Sequence, residues 1–318
     1  MFFKGRVLMK QYINYFVKFI TDPKIRFGYL SSIGFYNNIS DEKYIKKEYY
    51  VNMEKKLDLD NVKTFDEKLQ WLKLNDHKDI YTTLVDKYKV KEYISEKLGE
   101  KYIIKTIGVW NDPEEINFES LPDKFVLKVT HDSGGVVICK DKNIFDKDKA
   151  VKILKKSLSR DYYKIHREWP YKNVEKRIIA EEYVEDDNTK ELRDYKFYAF
   201  NGHVEAMLLA TNRQSKIKEL NFDYFDSHGQ HLNLINYWHP NADVTPELPT
   251  HFDEMVKLAK KLSKGFPHVR VDFYEANDRV YFGELTFYDM GGYLKLKPEN
   301  WEYEWGDLID LSLVEDKM

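Results

Sequence analysis

The chain has 318 residues, more than one hydrophobic core usually organises, so two or three subdomains around one cleft are expected. A composition of 42% hydrophobic, 15% aromatic and 33% charged residues, with a mean hydropathy of −0.64, excludes a bundle of membrane-spanning helices. The formal net charge of −3 gives no global electrostatic reason to bind nucleic acid. The single cysteine, Cys139, allows no intramolecular disulfide and no thiol cluster for zinc, which fits a reducing cytoplasm.

In chain order, residues 7–20 come first and mix apolar side chains with Lys10 and Lys18. The run is too short and interrupted to span a bilayer, but it is basic and amphipathic, so it can either lie on an anionic membrane surface or pack on the domain. Residues 41–99 read as helical: Thr64 with Glu67 three positions on is a capping-box signature ahead of Leu69, Trp71, Leu72 and Leu74. A second helix is expected from Val85. Strands are expected over 102–107, 125–129 and 136–139, the last two forming a hairpin across a glycine pair. Helical periodicity returns over 149–158, followed by strands over 177–184, 194–200 and 203–210, with Asn201-Gly202 as a tight turn. A helix over 251–264 then leads to strands over 269–274 and 280–286, with Asn277-Asp278 between them. No internal repeat or low-complexity tract interrupts the chain. The class is α+β, built from hairpins and packed helices.

Four segments carry chemistry. Residues 124–140 form a strand, a small polar loop and a second strand; Gly134 and Gly135 permit close backbone approach, successive N–H groups can cradle phosphate oxygens, and Lys128 projects a positive charge. An ordinary Ser-Gly-Gly hairpin turn would give the same pattern. Further on, Arg270 and Asp272 on one strand face Glu284 and Thr286 on the next if the two pair about Asn277-Asp278, with Asp289-Met290-Gly291-Gly292 behind. Two carboxylates on one face suit magnesium, which takes a few hard oxygens and completes its shell with water and phosphates; a solvated Arg–Asp face is the alternative. The acidic strand end Glu181-Glu182-Tyr183-Val184 suits an adenine edge, its backbone pairing with the base and a carboxylate accepting from ribose. Asp86-Lys87, opening a helix, is the weakest of the four.

In this order the pieces resemble the ATP-grasp superfamily, and residues 64–71, 85–90, 121–128 and 194–202 are similar to the TupA-like ATP-grasp family of bacterial cell-surface polysaccharide clusters. The resemblance covers roughly residues 41–310. It implies an ATP-grasp fold, with nucleotide held between two α+β subdomains and a helical N-terminal segment. The implied division is a helical segment over 1–60, a first subdomain over 61–120, a lid with the phosphate loop over 121–185 and a C-terminal subdomain with the metal site over 186–318. By position, Lys87 and Lys128 would contact ATP phosphates beneath a closing loop that includes His131, Ser133, Gly134 and Gly135. Glu181, Glu182, Tyr183 and Val184 would line the adenine and ribose pocket, and Asp194 and Lys196 would lie on the following strand that faces the nucleotide. Asp272 and Glu284 would hold Mg2+, and Arg270 would stabilise the acyl-phosphate oxygens. Two positions depart from the pattern: Thr286 stands where the superfamily has Asn, which bears on a second magnesium ion, and Thr130 stands where relatives often show Asn.

The implied reaction is ATP-dependent carboxylate–amine ligation through an acyl phosphate, with ATP and Mg2+ as cofactors and small-molecule carboxylate and amine substrates. His131 would serve as a general base or as a plain hydrogen-bond donor. The family context suggests that an amino acid is joined to a sugar or uronic acid of a surface polysaccharide, either as a glycan or as a nucleotide- or lipid-linked sugar. Tyr293, Trp301, Tyr303 and Trp305 would form either a sugar-stacking platform or part of the core. The competing classes are a glycosyltransferase using a nucleotide sugar, a sugar kinase and a non-catalytic nucleotide-binding scaffold. The expected location is the cytoplasm, with the basic N-terminal helix either packed on the domain or touching the inner membrane face.

Overall fold

The computed structural model describes residues 18–187, 192–212 and 219–314. Most of the basic stretch over 7–20 lies outside them. Helices α1 (Pro23–Ser32) and α2 (Asp41–Met53) begin at side-chain caps: Asp22 accepts from the Lys24 and Ile25 amides, and Ser40 from that of Lys43. In α3 (Phe65–Asn75) both bonds of the capping box form, Glu67 N to Thr64 Oγ1 at 3.4 Å and Thr64 N to Glu67 Oε2 at 3.0 Å. The helix expected from Val85 starts later, at Val90. Helix α4 (Ile80–Val85) stops at Val85, and Asp86 accepts from the Tyr88 and Lys89 amides in a turn that leads into α5 (Val90–Leu98).

The first sheet is antiparallel, with strands β1 (Thr106–Trp110), β2 (Phe125–Val129), β3 (Val136–Cys139) and β4 (Ile178–Glu182) in the order β1-β4-β2-β3. The first strand starts at Thr106 rather than 102 because Glu100–Tyr102 winds into a 3-10 turn after Gly99. Since β1 pairs with β4, a division at 120/121 cuts this sheet. Helix α6 (Lys147–Leu158) buries Ala150 and Leu154 against Phe125, Leu127 and Val129.

The second sheet is larger. Strands β5 (Arg193–Phe200), β6 (His203–Thr211) and β7 (Asn221–Phe225) precede a short β8 (Ile235–Asn236), then β9 (Val269–Ala276) and β10 (Arg279–Thr286), in the order β10-β9-β5-β6-β7. Strand β8 pairs instead with β11 (Leu296–Lys297) as a ribbon. Asn201 (φ 44°) with Gly202, and Asn277 (φ 52°) with Asp278 (φ 58°), turn the two hairpins through left-handed conformations. Helix α7 (Phe252–Ser263) covers one face, and α3, α4 and α5 share the core of this sheet through Phe65, Leu69, Tyr81, Leu84 and Ile94.

Helix α8 (Asn300–Leu308) crosses the start of α3 at Gly306, where a Cβ would lie 2.2 Å from the Lys63 carbonyl oxygen and 3.0 Å from the Phe65 amide nitrogen. Backbone cannot yield there as a side-chain tip can. Gly306→Ala is expected to lower stability by about 3 kcal/mol, read as a lower urea midpoint at unchanged m-value.

The same helix removes the sugar platform. Trp305 is fully buried, with its ring 5.4 Å from that of Phe65 and 4.8 Å from that of Tyr198. Tyr293 is buried with its hydroxyl donating to Glu48, and Trp301 is partly buried with Nε1 donating to the Asn233 carbonyl. Only Tyr303 is exposed, because the i, i+4 spacing of Trp301 and Trp305 turns both toward the core.

Candidate functional site

A bulge in the β9–β10 hairpin assembles the acidic pair. A regular two-residue hairpin about Asn277-Asp278 would place Asp272 opposite Gly283 and leave Glu284 on the other face, since strand side chains alternate. Pairing is regular from Arg279↔Ala276 to Phe282↔Phe273, then slips by one residue at Gly283, so that Glu284 faces Asp272 and Thr286 faces Arg270. A Cβ on Gly283 would sit 3.0 Å from the Asp272 carbonyl oxygen.

On that face the Arg270 guanidinium binds Asp272 through two bonds of 2.7 Å and reaches Glu284 at 2.9 Å and Thr286 Oγ1 at 3.1 Å. Its remaining nitrogen contacts Asp289, which also accepts from the buried Tyr198 hydroxyl. One strand over, Lys196 lies opposite Asp272 and binds both Asp272 and Asp194 at 2.5 Å. Burial pushes Asp272 up to about 6 against the pull of Arg270 and Lys196. Burial also opposes ionisation of Glu284, but Arg270, Lys196 and Lys87 together hold it down at about 2. Glu284 is therefore an anion at any physiological pH, and its side chain is 42% open to the cleft.

The opposite wall is the cleft-facing side of the first sheet. Lys128 is paired with Val136 and Val126 with Ile138 and Glu181, so cross-strand register puts all five on one face. Glu181 is clamped between Lys128 at 2.6 Å and Lys91 at 2.5 Å; burial disfavours its charge, yet the two lysines more than offset this and lower its pKa. Lys91 also donates to the Ile104 carbonyl and to Thr106 Oγ1. Lys87 N donates to the Thr130 carbonyl and Lys87 Nζ to the Asp132 carbonyl, 2.9 Å away, which ties the turn before α5 to the glycine loop. The space between the two sheets is lined by Lys87, Lys91, Lys128, Ser133, Val136 and Glu181 above and by Tyr274, Phe282, Gly283 and Glu284 below. Its mixture of apolar walls with converging charges suits a nucleotide.

The loop itself is anchored by Asp132, which accepts from Ser157 and from the Gly134 amide and pairs with Arg160. Neither glycine has positive φ, and the need is for close approach: a Cβ on Gly135 would meet Ser157 Oγ at 2.2 Å and Val129 at 2.9 Å. Thr130 is buried and structural, its hydroxyl donating to the Glu175 carbonyl and accepting from the Arg177 amide.

Four sequence-expected residues stand elsewhere. His131 is buried, with Nε2 turned to the Arg160 carbonyl at 3.1 Å, and burial lowers its pKa, so it is a neutral donor outside the cleft lining rather than a base within it. Glu182 alternates to the opposite side of β4 from Glu181 and lies 3.9 Å from Lys105. Tyr183 donates to Glu185 between Lys124 and Lys140, and neither it nor Val184 lines the cleft. Conversely, Lys91, Tyr274 and Phe282 line the cleft but were not singled out by sequence; Lys91 lies four residues after Lys87, which stands in the turn just before α5, and that closeness is the signal that points to it.

Helix α3 supports the end of the site. Its buried polar residues Asp66, Gln70 and Lys73, spaced along one face, hold the Leu294 amide, the Gly292 carbonyl and the Gly291 carbonyl at 2.9, 2.6 and 2.5 Å. Gly291 and Gly292 are left-handed (φ 69° and 74°), and a Cβ on Gly292 would strike Gln70.

Asp272 and Glu284 are two hard carboxylates, with the Thr286 hydroxyl beside them and room for phosphate oxygens; that donor set fits one magnesium ion, which needs few protein ligands. No group of three or more His, Cys, Asp or Glu side chains suited to a metal occurs among the described residues. No helix of these residues is long and apolar enough to cross a membrane.

The family model for TupA-like ATPgrasp matches residues 67–310. No curated protein matches the chain. Solved structures similar to it include D-alanine–D-alanine ligase from Bacillus anthracis with ATP, at 16% identity over 71% of this chain and 65% of that one with a TM-score of 0.40. The Helicobacter pylori enzyme of the same name gives 14%, 71%, 61% and 0.40. N5-carboxyaminoimidazole ribonucleotide synthetase from Thermus thermophilus gives 13%, 64%, 45% and 0.35. In each case this chain spans less than two thirds of the other's length.

Proposed function

The chain belongs to the TupA-like ATP-grasp family, and from that premise we propose that it is an ATP-dependent carboxylate–amine ligase working through an acyl phosphate. The observation that carries this reading is the bulge-dependent convergence of Asp272, Glu284 and Arg270 beneath Lys87, Lys128 and the glycine loop, in one cleft between two sheets. Adenine would lie between Val136 and Ile138 of the lid and Tyr274 and Phe282 of the floor. Lys128, oriented by Glu181, and Lys87 would face the phosphates with the Ser133–Gly135 backbone. Asp272 and Glu284 would hold magnesium, which when bound neutralises phosphate charge.

A substrate carboxylate oxygen would attack the γ-phosphorus, forming an acyl phosphate as ADP departs with the electrons of the broken P–O bond. The protein's part is positioning and charge: Arg270 and the lysines would offset the negative charge on the transferring group. No side chain becomes covalently linked. An amine then displaces inorganic phosphate.

We further propose that the product joins an amino acid to a sugar or uronic acid of a bacterial surface polysaccharide. The exposed Tyr237–Trp238 pair, with Lys295 and Lys297 over the Tyr237 ring at 5.4 and 4.5 Å, offers a place for an acidic sugar ring that Trp301 and Trp305 do not. The reading places the protein in the cytoplasm, where its basic N-terminus would touch the membrane face.

Hydroxylamine trapping tests the ligase reading. The protein with Mg-ATP is supplied with a panel of carboxylates, the proteinogenic amino acids and the hexuronates, and scored for ADP and hydroxamate. A hydroxamate formed by wild type and lost in Asp272→Ala supports the reading. ADP appearing with a phosphorylated sugar instead would make the protein a kinase, and preference for UDP-sugars indifferent to Asp272→Ala would make it a glycosyltransferase.

A further inference from the structure

Beside the Gly291–Gly292 turn lies a carboxylate that the nucleotide cleft does not use. Glu168 follows the left-handed Arg167 (φ 54°) and opens the 3-10 turn Trp169–Tyr171 without capping it. It is 4% exposed, and its carboxylate makes no hydrogen bond or ion pair with any described residue. A carboxylate so far removed from water, with no bonded partner among the described residues, is unfavourable unless something cationic joins it. The nearest cations are already engaged. Lys73 donates to the Gly291 carbonyl at 2.5 Å and lies 5.0 Å over the Tyr293 ring, while His166 Nδ1 is 2.7 Å from Glu48.

Aromatic rings stand beside this turn. Tyr162 and Tyr171 pack edge to face at 4.6 Å, and the Tyr171 amide donates to the Glu168 carbonyl at 3.1 Å, so the ring pair stands beside the turn that carries Glu168. Tyr162 also reaches Ser133 of the glycine loop at 3.3 Å. A buried anion walled by phenol rings is suited to an ammonium group through a charge-assisted hydrogen bond and ring-face attraction.

We propose that Glu168 binds the ammonium group of the amine substrate, in a subsite walled by Tyr162 and Tyr171 beside the Gly291–Gly292 turn, and accepts its proton. The proposal rests on the ligase reading and gives that reading its amine side. One N–H bond of the ammonium breaks as Glu168 becomes a carboxylic acid, which frees the nitrogen lone pair. That pair forms the C–N bond to the acyl carbon, the bond from that carbon to the phosphate oxygen breaks, and inorganic phosphate leaves with its electrons. The remaining surplus proton on nitrogen passes to the departing phosphate.

The electrostatics agree with the geometry. Burial pushes Glu168 up to about 7, with His166 and Lys73 pulling it down and Glu48 and Asp289 pushing it up. Tyr162, Tyr171 and Tyr288 also face it, and burial keeps each of them protonated. A base with a pKa near the working pH is well matched to proton transfer.

The test compares two kinds of nucleophile on the carboxylate found by trapping: hydroxylamine, which is uncharged near neutral pH, and the ammonium compounds glycine, glycinamide and methylammonium. Glu168→Gln is expected to lose at least about 100-fold more activity with the ammonium compounds than with hydroxylamine. Glu168→Asp should recover part of that loss. In wild type, only the ammonium reactions should rise with pH through about 7. Folding is checked by melting: replacing an unpaired carboxylate by an amide should raise the melting temperature at pH 8, where the wild-type group is ionised. Equal losses with both nucleophiles would overturn the proposal, as would ammonium compounds that neither react in wild type nor compete with hydroxylamine. Absence of hydroxamate with every carboxylate would instead remove the ligase reading itself, and the role of this subsite with it.

Discussion

Glu284→Ala is expected to reduce magnesium-dependent ATP turnover on the order of a hundredfold or more while the protein remains folded. The carboxylate is held near a pKa of 2 by Arg270, Lys196 and Lys87, so it is an obligate anion, and its cleft-facing exposure means that its loss opens no cavity in the core. What its loss removes is charge. Arg270 would keep Asp272 and Asp289 as partners, and the melting temperature should move little. Titration of turnover against magnesium concentration gives the decisive reading: the half-saturating concentration should rise. A variant that keeps wild-type turnover and magnesium dependence would remove Glu284 from the metal site.

Arg270→Met is expected to act on stability as well as on turnover, with a loss of about 3–5 kcal/mol near neutral pH. Arg270 is 6% exposed and forms the hub of a cluster in which Asp272 and Asp289 are themselves 1% and 7% exposed. Without the guanidinium, those carboxylates remain buried and short of a cation. Burial already pushes Asp272 up to about 6 with Arg270 present, and without it the folded-state pKa rises further. A carboxylate whose folded pKa lies above its unfolded value costs stability at high pH and regains it as pH falls through the folded value. The deficit of the variant should therefore be larger at pH 8 than at pH 5 in urea unfolding. Equal deficits at the two pH values would mean that packing, not charge, accounts for the loss.

Much of the fold was legible because its signals are local. The Thr64–Glu67 capping box forms as read, the strands over 125–129 and 136–139 have those bounds in the structure, and Asn201-Gly202 and Asn277-Asp278 turn their hairpins because Asn, Asp and Gly tolerate left-handed backbone. Helix α3 shows the limit of periodicity. Its apolar pattern points to Leu69, Trp71, Leu72 and Leu74, yet Asp66, Gln70 and Lys73 are as deeply buried as Leu69 and Leu72, because they hold the backbone of the 291–294 segment.

By itself, then, the sequence determined the α+β class, the family and the residue types available to the cleft, since these follow from turn chemistry, strand alternation and the order of motifs along the chain. Only the tertiary structure decided which of those residues meet. The slip at Gly283 brings Glu284 round to Asp272, whereas alternation along β4 turns Glu182 away from Glu181. Packing turns His131 to a carbonyl and draws Trp305 into the core. Glu168 has no bonded cation among the described residues, since Lys73, distant in sequence, holds the Gly291 carbonyl and His166, two residues before it, holds Glu48. Each outcome depends on long-range register and on which neighbour satisfies a buried polar group, and neither is encoded in a window of a few residues.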